Sequence, residues 1–390
     1  MSTATERVMH EESRGTLLED GRFEALLHQL VNSEHDKGIL SVYLDIDPAI
    51  AGRQRYQAAL MDLWKPLRAR PHDAWMRGRL EYEIEGITGE VRRWEQAPGR
   101  SVAMFFSGPA GLRAVVPLHF PVRPVARFEA RPVLAPLIAA LDEHRRYCVV
   151  IFDKERARLV TVFLGQVEDE TVLQSDIIGR TAVGGFSQSN YARHREHQLH
   201  EHARRTVEHL WAIDRTRPIH ALVLGGPDEA LAVLRRALPP TLARAVAGTV
   251  AVEMFAITPD VVHRVTALET STRETEDAQL VAELVAATGQ AGRAAVGWAD
   301  ALQALGEGRV HMLVLPPGIT RAGIYCAEGH FISVGEMKFC PVCGGQLQAS
   351  DDITETAVRV AMLTDAAVHF LAPAAGDTLA QRGIGAFLRY

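Results

Sequence analysis

Gly184-Gly185-Phe186-Ser187-Gln188-Ser189-Asn190-Tyr191-Ala192-Arg193-His194-Arg195 is the stretch from which the fold reads outward. Strand-like sequence precedes it, and a long His/Arg-rich helical pattern, Tyr191 to Trp211, follows it. Strand, loop and helix in that order make an α/β unit. The two glycines allow backbone conformations and close approaches that any Cβ would block, which suits a loop tip entering a crowded site. Gln188 can donate and accept hydrogen bonds without carrying a charge. The arginines behind it can neutralise phosphates. Together they suggest a probe that enters a nucleic-acid machine, although turns account for most isolated Gly-Gly pairs.

The helix sorts into faces. Leu199, Ala203, Val207, Leu210 and Trp211 recur at helical spacing and form the expected core face. Arg193, His197, His200 and Arg204 fall on a second stripe, and His194, Arg195, His202, Arg205 and His209 extend the polar side. Glu196, Glu201 and Glu208 offset the arginines, so a solvated face competes evenly with a phosphate-binding one. A P-loop is excluded, because no Gly-Lys-Ser/Thr follows the glycines. Gly225-Gly226-Pro227 reads as a strand-end turn. No H-E-x-x-H and no G-x-S-x-G occurs.

Outward from this unit, the pattern predicts an α/β protein of three domains. Residues 1–20 read as a disordered tail. An N-terminal α/β domain, 21–130, holds a helix Arg22–Asn32, a strand Ile39–Asp45, helices near 53–69 and 73–95, and strands Val102–Phe106 and Leu112–Leu118. The Pro-rich stretch Pro117–Pro136 reads as a linker or an extended connection. The middle domain, 131–272, holds a strand pair, Cys148–Phe152 and Arg158–Phe163, with a turn at Asp153–Arg156. After the Gly-Gly loop and the long helix come a strand Ile219–Leu224 and a helix Glu229–Ala237. The charged stretch Thr270–Asp277 marks a boundary. The third domain, 273–390, alternates helices and strands around a cysteine-rich insertion at about 322–349.

With 390 residues, 47% hydrophobic and 23% charged, the chain has the composition of a soluble globular protein. A net charge of −6 counts against a dedicated nucleic-acid binder but permits a local basic surface. The absence of both an apolar N-terminal stretch and a run of ~20 apolar residues points to a cytoplasmic protein away from membranes.

Of four cysteines, Cys148 lies in a buried-strand pattern and reads as a core residue. Cys326, Cys340 and Cys343 cluster. Cys340-Pro341-Val342-Cys343-Gly344-Gly345 is a zinc-knuckle pattern, and Cys326 and His330, at C-x3-H spacing, could complete a closed Cys3His site for structural Zn2+. A redox pair Cys340/Cys343, or another fourth ligand such as His311, remains open.

Three stretches share one resemblance. The Gly184–Arg195 segment resembles the Gly-Gly-Gln loop and following helix of the eukaryotic and archaeal class-1 release factor and Pelota superfamily. Gly383-Ile384-Gly385-Ala386-Phe387-Leu388-Arg389-Tyr390 resembles that family's G-I-G-x-x-L-R-Y tail. The Cys340–Gly345 knuckle resembles the minidomain of archaeal release factors. The similarity extends to the bacterial branch, with its Vms1-like and Balon-like members.

This resemblance implies a ribonuclease-H-like middle domain whose loop enters the ribosomal peptidyl-transferase centre from the A site. It implies a third domain like the kink-turn-binding ribosomal-protein fold, in contact with a translational GTPase of the elongation factor Tu type. Gly184, Gly185 and Gln188 would be catalytic toward peptidyl-tRNA. Phe186, Ser187, Arg193, Arg195, His197 and Arg204 would contact rRNA or tRNA. The chain departs from the family in two places. Phe186 stands where the release factors place glutamine. The stop-codon motif Asn-Ile-Lys-Ser is missing, and the corresponding region carries Arg68, Arg70, Arg77 and Arg79, either rRNA contacts or a solvated basic loop. Codon-independent rescue by ester hydrolysis, non-catalytic hibernation in the vacant A site, and tRNA cleavage of the Vms1-like kind follow as readings, the first favoured because glutamine is retained.

Overall fold

The computed structural model describes residues 22–46, 53–71, 73–175, 188–288 and 293–389. The predicted tail at 1–20 and the Gly184–Ser187 part of the loop lie outside them. The chain divides into two compact units, one of residues before 143 and after 280, the other of residues 143–280.

The first unit begins with α1 (Arg22–Asn32), β1 (Ile39–Asp45), α2 (Arg53–Ala69), α3 (Ala74–Arg93), β2 (Ser101–Ser107), β3 (Leu112–Leu118), β4 (Val125–Glu129) and α4 (Ala135–Glu143). The strands form one sheet of order β3-β2-β1-β4. Alternate residues of β1 and β2, including Leu40, Val42, Leu44, Val102 and Met104, pack against Leu60, Trp64, Leu80 and Ile87 of the helices. Asp73 caps α3 by accepting from the Met76 N–H at 2.7 Å. The stretch Pro117–Pro136, read as a linker or an extended connection, is extended and contains a strand: β4 pairs antiparallel with β1, Leu40 opposite Phe128. Its prolines flank the five-residue strand, so they leave the ladder intact.

The second unit holds β5 (Tyr147–Phe152), β6 (Arg156–Phe163), β7 (Gln166–Gln174), α5 (Gln188–Thr216), β8 (Ala221–Gly225), α6 (Asp228–Ala237), α7 (Pro240–Arg244), β9 (Val246–Val250) and α8 (Thr258–Thr288), whose end runs past the unit's limit. The sheet order is β7-β6-β5-β8-β9. The β5–β6 and β6–β7 pairs are antiparallel, and the β5–β8 and β8–β9 pairs are parallel. One face, with Cys148, Val150, Phe152, Ala157 and Leu159, packs on α5 and α6. The other, with Val149, Ile151, Val160 and Val162, packs on α8.

β7 was not legible in the sequence because Glu168, Asp169 and Glu170 disfavour a strand. Here arginines offset two of the charges: Arg146 donates to both Glu168 oxygens at 2.8 and 3.1 Å, and Arg158 to Glu170 at 2.8 Å. The turn before β6 forms as expected, with the Asp153 carboxylate accepting from the Glu155 and Arg156 N–H groups at 2.7 Å. The Thr270–Asp277 stretch, read as marking a boundary, lies inside the 31-residue α8, shortly before the limit between the two units, and its Thr270 and Thr275 hydroxyls bond back to carbonyls one turn earlier.

The first unit resumes with β10 (Ala294–Val296), α9 (Trp298–Gly306), β11 (Val310–Leu315), β12 (Gly323–Tyr325), β13 (Ile332–Ser333), β14 (Gln348–Ser350), α10 (Ile353–Leu363), β15 (Ala367–Phe370), α11 (Pro373–Ala380) and β16 (Gly385–Leu388). Its sheet order is β10-β16-β11-β15, and a separate three-stranded sheet, β13-β12-β14, carries the cysteine cluster. The tail motif has a packing reason. Gly383 takes φ +109°, and a Cβ there would lie 2.6 Å from the Trp298 ring, while one on Gly385 would strike Leu284. Ile384 between them is fully buried. A Gly383→Ala variant is therefore expected to melt several degrees below wild type, read by differential scanning fluorimetry.

Polar contacts tie α10 to the N-terminal part of the same unit. Arg359 donates to the Val31 and Pro132 carbonyls, the second at 2.9 Å. Glu355 accepts from the Leu134 and Ala135 N–H groups at 2.5 and 2.8 Å, satisfying donors at the start of α4. Among the described residues, no helix is long and apolar enough to cross a membrane.

Candidate functional site

Two regions carry the sequence-predicted site residues. The first is the loop and α5. Gly184, Gly185, Phe186 and Ser187 fall outside the described residues, and Gln188 is the first residue of α5. Arg193 and Arg195 lie in the helix's first two turns, where only the backbone is described. The core face expected of this helix forms, with Leu199, Ala203, Val207 and Leu210 buried. Trp211 is the exception, 51% exposed with the Arg215 guanidinium 5.1 Å from its ring centroid. Its place on the core face goes to Ile213, which keeps the three-or-four-residue spacing.

His202, expected on the polar side, is also buried. Its ring stacks on Phe152 at 4.9 Å. It lies near the Arg156 backbone without a well-formed hydrogen bond, and burial holds its pKa below the usual imidazole value. His202 is therefore a neutral core residue rather than a phosphate ligand.

His197 and Arg204 are exposed, as phosphate contacts require. Arg204 already bonds Glu201 at 3.0 Å and Glu208 at 2.6 Å. Exposed pairs of this kind are worth little, so a phosphate can displace them at small cost. Among the N-terminal arginines, Arg68 pairs with both oxygens of Glu81, Arg70 with Asp351 at 3.1 Å and Arg79 with Glu83 at 2.5 Å, which leaves this region less basic than its sequence suggests.

The second region is the cysteine cluster. Cys326 follows β12, His330 precedes β13, and Cys340 and Cys343 sit on a turn before β14. The β12–β13 connection closes with Cys326 N–H to the Phe331 carbonyl at 2.7 Å, and the knuckle with Gly344 N–H to the Cys340 carbonyl at 2.9 Å. Gly344 takes φ +71°, the left-handed turn that a residue without a Cβ adopts most readily. The potential ligand atoms of Cys326, His330, Cys340 and Cys343 all lie within 4.8 Å of one another. The Cys326 and Cys343 sulfurs are 3.6 Å apart, and Cys326 Sγ is 4.0 Å from His330 Nδ1. Thiolates on a tetrahedral ion with bonds of ~2.3 Å stand about 3.8 Å apart, so the geometry fits a metal. His330 completes the group, and His311, on β11, is not part of it. Cys148 is fully buried in the second unit, its thiol pushed up to about 12 by burial, as expected of a core residue.

Sequence reasoning passed over one pair. Arg156 stacks on Phe255, which is 77% exposed in the connection between β9 and α8. Nothing in the apolar run from Val250 to Ile257 signals that this ring faces solvent.

Residues 132–270 match the family described as bacterial archaeo-eukaryotic release factor family 10. The match covers nearly the whole second unit, from the segment before β5 into α8. The peptide chain release factor subunit 1 of Methanopyrus kandleri is 29% identical over 120 residues, 30% of this chain, and the match spans only 29% of that relative's length. Among solved structures, a ribosome-bound archaeal Pelota, described together with ABCE1, aligns over 94% of both chains at 12% identity and a TM-score of 0.41. The Archaeoglobus fulgidus Pelota aligns over 74% of this chain and 79% of its own at 15% identity and a TM-score of 0.32. By its sequence match, the segment 132–270 of this chain is related to the archaeo-eukaryotic release factors, through their bacterial family 10.

Proposed function

We propose that the protein is a translation factor that binds the ribosomal A site and carries its Gly-Gly loop into the peptidyl-transferase centre. The observation that carries this reading is the family 10 match across residues 132–270, which brackets Gly184, Gly185 and Gln188. The second unit's sheet order, β7-β6-β5-β8-β9, supports a ribonuclease-H-like reading, and the loop joins its edge strand to α5. The small sheet order β10-β16-β11-β15 with its helices fits the kink-turn-binding ribosomal-protein fold, through which a GTPase of the elongation factor Tu type would deliver the protein.

On the ribosome, the loop would place a water against the ester of peptidyl-tRNA. Gln188 would orient that water, and backbone N–H groups of the loop would stabilise the developing oxyanion. The four-ligand Cys326/His330/Cys340/Cys343 set suits structural Zn2+, with no open position for catalysis.

The test is peptide release from purified ribosomes stalled without a stop codon. Gln188→Ala and Gly185→Ala are expected to slow release by about 10²-fold, the scale seen when a single oriented polar group is lost from such a site. Release at the wild-type rate by both variants would refute hydrolysis. Phe186 favours the second reading, hibernation, because an aromatic at the catalytic position suits stacking on a base rather than orienting water. Recovery on vacant ribosomes, with no release of peptide, would select it. Cleavage of tRNA away from the ribosome would select the third.

A further inference from the structure

Alternation along β6 sends Ala157 and Leu159 to the α5 face and Arg156, Arg158, Val160 and Val162 to the α8 face. Arg156 is opposite Gln174, the last residue of β7, and Ser175 N–H is held by the Glu155 carbonyl at 2.7 Å. The start of β6 is therefore the root from which the chain leaves toward the Gly-Gly loop. On the α8 face of that root, Arg156, Arg158, Val172, Met254, Phe255 and Ala256 line a cavity of about 240 Å³.

The two arginines play different parts. Arg158 is fully engaged: it bonds Glu170, the Met254 and Ala256 carbonyls, and the Thr258 hydroxyl at 2.9 Å, and so fixes the 254–258 segment to the sheet. Arg156 has no such bonds. Among the described residues its guanidinium makes no ion pair or hydrogen bond and lies 4.9 Å from the Phe255 ring centroid. Phe255 is 77% exposed and its neighbour Ile257 63% exposed, which is unusual for an apolar pair held by so well bonded a segment. The Glu170 carboxylate on β7 is already paired with Arg158. A fixed, open aromatic face beside a guanidinium with no ion pair among the described residues is what a nucleobase with its phosphate requires. The cavity is smaller than the ~300–1,000 Å³ of ordinary small-molecule sites, and it suits one planar base.

We propose that Phe255 and Arg156 form a second RNA contact, in which one unpaired nucleobase stacks on Phe255 and its phosphate pairs with Arg156, on the sheet face opposite α5. The contact rests on the ribosomal reading above for its biological target. It would anchor the root of the loop from the side that α5 does not cover.

The test uses the full chain and a fluorescein-labelled 12-nucleotide single-stranded RNA of mixed sequence, with ribosome co-sedimentation in parallel. Phe255→Ala and Phe255→Leu are expected to weaken oligonucleotide binding about tenfold or more, Phe255→Trp to preserve it, and Arg156→Gln to weaken it several-fold with a shallower salt dependence. Because Phe255 and Arg156 support no core contact, thermal melting should match wild type in all four. Unchanged affinity in Phe255→Ala, or no binding by wild type, overturns the proposal. Full ribosome binding by Phe255→Leu with loss in Phe255→Ala would also overturn it, since an apolar protein-docking patch behaves that way. Wild-type binding to the oligonucleotide without co-sedimentation would instead remove the ribosomal reading and leave the RNA contact standing.

Discussion

Chelation, or Cys340→Ser, is expected to unfold the β12–β14 module while the rest of the chain keeps its structure. Beyond the packing of β12 and β13 on α9 and α10, the module has little to hold it. Its strands are three, two and three residues long. Its core is Cys326, Cys340 and Leu347, with Ile324 and Phe331 packed beside them. Two of those three buried residues are themselves candidate ligands, and Met337, Phe339 and Val342 remain exposed. So small an apolar cluster cannot offset the chain entropy of ordering the insertion. A structural zinc contributes about 10–16 kcal/mol in isolated modules of this kind, which makes metal binding and local folding one event. Elemental analysis should find one zinc per chain. Limited proteolysis read by mass spectrometry should then cut between Cys326 and Gly345 only after chelation. Equal protection with and without metal would show that the sheet stands alone.

Removal of Arg359 is expected to cost about 3–5 kcal/mol, the scale for leaving a buried charge without its partner. Arg359 is 4% exposed and satisfies the Val31 and Pro132 carbonyls. Its loss would strand both carbonyls and the nearby Glu355. The Glu355 carboxyl is pushed up to about 7 from its usual 4.5 by burial, with the Leu134 and Ala135 N–H groups and Arg359 opposing that rise.

A raised folded-state pKa means that the folded protein holds the proton more tightly than the unfolded chain. The resulting stability is complete below about pH 4.5 and is lost as pH rises through 7. At about 1.4 kcal/mol per pH unit, this carboxyl contributes on the order of 3 kcal/mol across that window. Denaturant melts at pH 5 and pH 8 should show the wild type weakening with pH. Glu355→Gln should flatten that slope, and Arg359→Ala should lose most at pH 8, where Glu355 is ionised and keeps only its Leu134 and Ala135 N–H partners. A slope unchanged by Glu355→Gln would assign the pH dependence to other groups, such as Glu269, whose carboxyl burial also pushes up to about 7.

The parts of the fold that were legible in the sequence are those where one local pattern decides the outcome. The strands β1, β2, β5 and β6 read as apolar runs because both faces of their sheets are covered. The core stripe of α5 read as a period of three or four because one side of that helix packs on the sheet. The cysteine cluster read from spacing alone, since ligands on two tight turns must converge whatever surrounds them. What failed had its partner far away in sequence. β4 was hidden among prolines and is a strand because β1 offers an edge. β7 was hidden by acids that Arg146 and Arg158 neutralise.

The sequence by itself carried the chemistry at stake: a Gly-Gly loop with Gln188, a cysteine cluster with the spacing of a metal site, and a resemblance to release factors. These depend on residue identity and short spacing, which the chain carries in one dimension. Only the tertiary structure decided which side chains are free to use that chemistry. It buried His202 against Phe152, tied Arg204 to two carboxylates, sealed Glu355 against the start of α4, and set Arg156, without an ion pair among the described residues, over an open Phe255. Charge and aromaticity are properties of residues, but their availability is set by burial and by partners that only the folded chain brings within reach.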